Sequence, residues 1–158
     1  MASGKIHAMS NLVAGLFLTT TTFLLFQDTD LTIAAAAGSF AGLTITPDYD
    51  LNKSLPRSII TRIPYISILW VAMWKPYSLL FKHRSFWSHS PVFSTLIRII
   101  YLVFWLTLFT EILGYFDMIS WDMLDIFGIM LEYYDLTLMF LFCWVFQDVI
   151  HLWFDFVV

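Results

Sequence analysis

Residues 83–114 read HRSFWSHSPVFSTLIRIIYLVFWLTLFTEILG. From Pro91 to Gly114 the run is apolar, interrupted only by Arg98 near its start and Glu111 near its end. As a helix it would cross the roughly 30 Å hydrocarbon core of a bilayer. Its beginning is marked: Ser90 stands where an N-cap would, and Pro91 takes the first helical position, where a missing N–H costs nothing. Arg98 and Glu111 are expected to snorkel to opposite interfaces. Polarity is concentrated just ahead of this helix, where two of the chain's four histidines, His83 and His89, flank Arg84.

Composition places the whole chain in the same class. Its 158 residues suffice for one domain with one core, residues 1–158. Hydrophobic residues make up 59% and charged residues 13%, about half the usual charged share. So few charges cannot cover a soluble domain of this size, so an integral membrane protein is expected. The net charge of −4 gives no general basic surface for nucleic acid. Cys143 is the single cysteine, cannot form an internal disulfide, and reads as a small buried hydrophobe.

Outward from the opening stretch, three further apolar runs read as spans. Between Lys5 and Asp28 there is no formal charge, and the most apolar part is 12–26. Asp28-Thr29-Asp30 then makes a short acidic turn into a small-residue helix over 31–46, with Gly38 and Gly42 as a small-xxx-small pair. So short a turn predicts an antiparallel hairpin. Pro47 ends the second helix and a polar loop follows. Residues 63–81 are apolar but carry Pro64, Pro76, Lys75, Trp70, Trp74, Tyr65 and Tyr77, which suits an aromatic helix at the interface or a re-entrant segment. Residues 116–135 are acidic and mixed, and 136–156 form the last span. The expectation is an all-α membrane bundle with about four spans (12–26, 31–46, 91–113, 136–156) plus the aromatic segment at 63–81.

Charge asymmetry sets the orientation. With four spans, Lys5, Lys53, Arg57, Arg62, Lys75, Lys82 and Arg84 fall on one side, and the other side holds acidic residues with no lysine or arginine. The first side is therefore expected to be cytoplasmic, with both termini. All four histidines (His7, His83, His89, His151) fall near that boundary, as do Asp48, Asp50, Asp148 and Asp155. Each span brings one polar motif to the same place.

Taken singly these motifs are weak. Asp48-x-Asp50 splays two carboxylates around a common point, as metal sites do and as solvated turns also do. His151 and Asp155 are four apart on one helical face, which is a ligand spacing and also a local hydrogen-bond spacing. Asp148, three residues before His151, shares that face. Arg84 suits an anionic oxygen such as a phosphate, or a lipid headgroup.

Together, Lys5-Ile6-His7, Gly42-x4-Pro47-Asp48-x-Asp50, His83-Arg84-Ser85-x-x-Ser88-His89-Ser90 and His151-x3-Asp155 resemble a bacterial and phage family of predicted membrane metal-binding proteins of unassigned function. More distantly the pattern is similar to the YdjM-type LexA-regulated membrane-bound metal-dependent hydrolases. The resemblance implies His7, Asp48, Asp50, His83, His89, His151 and Asp155 as metal ligands. A mixed histidine and carboxylate set suits Zn, Mn or Fe, and seven ligands suit one or two ions. The function expected is a membrane-bound metal-dependent hydrolase acting on a phosphoester or phospholipid headgroup, with an unligated carboxylate, Asp148 or Asp50, as general base and Arg84 steadying the anion. The alternative is a non-catalytic structural or interaction protein whose metal staples helix ends together. The lipid bilayer is the expected partner, and homo-oligomerisation is left open.

Overall fold

The structure, a computed structural model, describes residues 4–46, 64–81, 85–120 and 122–157. Among the described residues every regular element is a helix: α1 (Gly4–Phe26), α2 (Thr29–Thr44), α3 (Pro64–Leu80), α4 (Phe86–His89), α5 (Pro91–Tyr115), α6 (Met123–Glu132) and α7 (Tyr134–Val157). Among the described residues three stretches are long and apolar enough to cross a membrane: Ile6–Phe26, Pro91–Tyr115 and Tyr134–Phe154. The second of the four expected spans differs. With 16 residues α2 is about 24 Å long, short of a full hydrocarbon core.

The hairpin forms as expected, and its turn has a physical anchor at each end. Gln27 leaves α1 with φ 50°, the left-handed conformation common just past a helix C-terminus, and its N–H bonds Phe23 at 2.9 Å. Asp28 then caps α2, its carboxylate accepting from the N–H groups of Asp30 (2.8 Å) and Leu31 (2.9 Å). The two helices lie side by side and α7 packs against both, most extensively against α2. That closeness comes from glycine. A Cβ on Gly38 would run into the backbone of Phe140, and one on Gly42 would run into the side chain of Gln147. The small-xxx-small pair is thus the seam between α2 and α7.

At the start of α5, Pro91 is at the first position and Ser90 has the extended backbone of an N-cap (ψ 129°), but its hydroxyl makes no capping bond. The Ser90 carbonyl accepts from the N–H of Ser94 at 2.9 Å, so the backbone alone starts the helix. Directly before it, residues 86–89 form the single turn α4.

The aromatic segment is a helix, and its prolines do not break it: Pro64 begins α3 and Pro76 lies inside it. Trp74 and Tyr77 are buried against α5 rather than turned outward, with Tyr101 5.5 Å and 5.3 Å away between ring centroids. The Tyr101 hydroxyl donates to the Met73 carbonyl. Within the acidic stretch at 116–135 the structure contains α6, started by a reciprocal cap between Asp122 and Asp125. The acidic residues that read as a polar connection are partly its capping device.

Candidate metal and polar site at one end of the bundle

The buried stripe of α1 is unusual for a long apolar helix: His7, Asn11, Gly15, Leu18 and Thr22 face inward while Met9, Val13, Leu16 and Phe17 are exposed. Spacings of three and four residues put this stripe on one face. The pattern is inverted relative to a soluble helix, as expected where the surroundings are apolar and polar groups gather inside. Opposite it, α7 turns Cys143, Gln147, Asp148 and His151 inward, and α2 contributes Ser39.

These stripes meet in layers. In the first, His7 and His151 are 5% and 2% exposed and their rings stack, with centroids 4.3 Å apart and planes 25° from parallel. One helical turn deeper lie Asn11, Ser39 and Gln147, all buried. Gly15 makes room for them: a Cβ there would come within 2.9 Å of Gln147 Nε2 and 3.2 Å of Ser39 Cβ. Asn11 Oδ1 and both amide atoms of Gln147 have no hydrogen-bond partner among the described residues. Burying such groups in an apolar bundle is costly unless they are hydrogen-bonded. The third layer is apolar, with Leu18, Ala35 and Cys143. Cys143 is the small buried residue expected.

Beside the first two layers, α5 and α7 are joined by charge. Arg98 and Asp148 are both fully buried and form an ion pair through Nη2 and Oδ2. Arg98 Nε also donates to the Ser94 carbonyl (3.1 Å), and Nη1 donates to the Ile45 carbonyl, one of the acceptors left open at the end of α2. The Thr95 hydroxyl donates to the same Asp148 oxygen. Arg98 therefore does not snorkel. An aspartate on α7 and an open carbonyl on α2 give it better partners than a distant interface would, and three helices are tied at one point. The sequence contains a signal for this: Arg98 is seven residues into α5, Asp148 is nine from the end of α7, and antiparallel helices put those depths level.

The expected site residues are distributed as follows. His7 and His151 are together. Asp148 is engaged through Oδ2, while its Oδ1 has no hydrogen-bond partner among the described residues. His89 closes α4 and Asp155 lies in the last turns of α7, their side chains outside the described residues. Asp48, Asp50, His83 and Arg84 lie outside the described residues altogether. Sequence reasoning missed Asn11 and Gln147, whose signal was their four-residue spacing from His7 and His151.

The helix ends nevertheless converge. His7 and His151 bring the start of α1 to the end of α7, and Arg98 brings the start of α5 and the end of α2 to the same region. Four helix ends thus share one end of the bundle. Among the described residues no group of three or more His, Cys, Asp or Glu side chains is placed to hold an ion. The donors fit a metal in kind, because imidazole nitrogen suits Zn and Fe, while Mn would call for carboxylate oxygen as well. His7 and His151 supply two such groups, and further ligands would have to come from beyond the described side chains.

Among the described residues the protein is a helical bundle with two buried imidazoles at one end, and helical bundles build metal sites from side chains on facing helices. The chain matches a family model over residues 2–158, described as "Uncharacterized metal-binding protein (DUF2227)", and it belongs to that family. The description extends to metal binding and names neither an ion nor an activity. No curated protein and no solved structure matches the chain.

Proposed function

We propose that the protein is a membrane-embedded metal-dependent hydrolase whose site opens at the cytoplasmic boundary of a bacterial inner membrane and acts on a phosphoester. The observation that carries this reading is the His7–His151 pair at the end of the bundle where four helix ends gather. In it α2 is a short fourth span, held to α1 by its tight turn and to α7 by Gly38 and Gly42. The one-sided distribution of lysine and arginine supports the orientation.

His7 and His151 are the first two ligands. Asp48, Asp50, His83, His89 and Asp155 complete the set, around one or two Zn, Mn or Fe ions. When bound, such an ion supplies an activated water near neutral pH and offsets developing negative charge. The chain's own residues do the rest. Arg84 takes a phosphoryl oxygen bidentately. Asp148, with Oδ2 held by Arg98 and Thr95, keeps Oδ1 as the proton acceptor, one helical turn from His151.

The test is turnover. Protein reconstituted in nanodiscs and loaded in turn with Zn²⁺, Mn²⁺ or Fe²⁺ is expected to hydrolyse a phosphodiester or phospholipid headgroup. Activity should vanish on chelation, return with the effective ion, and be absent in His151→Ala. A metal-replete protein that turns over none of these substrates would replace this reading with a metal that only staples helix ends.

A further inference from the structure

Between α1 and α7, on the face away from α2, runs a groove of about 690 Å³. Its walls are Ile6, Val13 and Phe17 on one side and Phe146, Ile150 and Phe154 on the other. The polar group on this wall is Ser10, and its hydroxyl is turned back onto the His7 carbonyl at 2.9 Å. The groove thus offers an occupant hydrocarbon and almost nothing to hydrogen-bond.

Its length and position are both informative. From Ile6 to Phe17 the α1 wall extends about 16 Å at 1.5 Å per residue. One leaflet is half of a roughly 30 Å core, so the groove is one acyl chain long. It lies within the two stretches Ile6–Phe26 and Tyr134–Phe154 that are apolar enough to cross a membrane. Its upper end, at Ile6 and Phe154, is next to His7 and within one turn of His151.

We propose that this groove seats one acyl chain of a glycerophospholipid, so that the lipid's phosphoester lies at the His7–His151 end of the bundle. The inference rests on the hydrolase reading above and narrows its substrate to a lipid. A chain laid from Phe17 to Ile6 delivers its ester and headgroup to the boundary where the histidines meet. Recognition is divided: the apolar groove selects the chain, and the polar end receives the head. Ala14, in the groove wall, is small enough to leave the chain its space.

The experiment uses the full chain in nanodiscs of phosphatidylethanolamine and phosphatidylglycerol, with a phosphatidylglycerol probe carrying a diazirine in its palmitoyl chain. Adducts located by peptide mass spectrometry are expected at Val13, Phe17 and Ile150, saturating with probe concentration. The comparison is the outward face of α5, at Ile100 and Phe104, where labelling should rise without saturation. Ala14→Trp, and independently Val13→Trp, should lower groove labelling several-fold while leaving the α5 labelling and the bound metal unchanged. Groove labelling that neither saturates nor responds to either tryptophan would overturn the seat and leave ordinary surrounding lipid. With the photoreactive residue benzoylphenylalanine placed at position 13, cross-links joining two chains would overturn it in favour of a second copy. Metal content separates the two levels: loss of the seat with metal retained refutes the groove alone, and a seat retained in a protein that binds no metal refutes the hydrolase reading alone.

Discussion

Arg98→Met is expected to destabilise the folded protein by about 3–5 kcal/mol, the usual consequence of removing one partner of a buried ion pair. The substitution keeps most of the side chain's volume and removes its charge. Asp148 would be left buried with only the Thr95 hydroxyl on Oδ2, and the Ile45 carbonyl would lose its donor. Asp148→Leu is expected to harm stability comparably, because it strands the guanidinium. The double variant Arg98→Met/Asp148→Leu should recover most of the loss, since an apolar pair of similar bulk costs no desolvation. Denaturation in mixed micelles measures all three. Single variants within about 1 kcal/mol of wild type, the range of solvent-exposed pairs, would show that Arg98 is not buried.

Gly38→Leu is expected to separate α2 from α7. Even the alanine variant places a Cβ against the Phe140 backbone, which cannot swing aside as a side chain can. Overpacking of this kind costs about 1–3 kcal/mol, and leucine adds three more carbons at the same point. Gly128 provides the contrast, because nothing lies within 4 Å of a Cβ added there. Gly128→Ala inside α6 should stabilise by about 0.5–1 kcal/mol through helix propensity alone. Thermal unfolding of the variants side by side checks the pattern. Equal effects at Gly38 and Gly128 would deny that α2 and α7 touch through glycine.

How far these contacts were legible differs with their cause. The hairpin, the start of α5 and the small-residue seam depend on local chemistry (an acidic cap, a proline at the first helical position, two glycines four apart) and can be read directly. The buried polar layers depend on which face of each helix turns inward. That orientation becomes readable once the chain is taken as apolar outside and polar inside, because His7, Asn11 and Gly15 then mark the inner stripe of α1. Arg98 was misplaced because a lone arginine near a helix start is ordinarily a snorkelling residue, and its partner is 50 residues away. A still longer separation along the chain hides the site. Two of its expected ligands, His7 and His151, come from opposite ends of the chain, and no local pattern joins them.

The central claim is that this pair is the nucleus of the metal site, and the most direct measurement is metal per chain. Wild type, His7→Ala and His151→Ala, each purified in the same detergent and shown by circular dichroism to keep its helices, would be analysed by inductively coupled plasma mass spectrometry. About one or two Zn, Mn or Fe ions per chain are expected in the wild type, as a mixed ligand set of this size would hold. Each single variant should lose most of them. Folded variants that keep the full wild-type metal content would contradict the account.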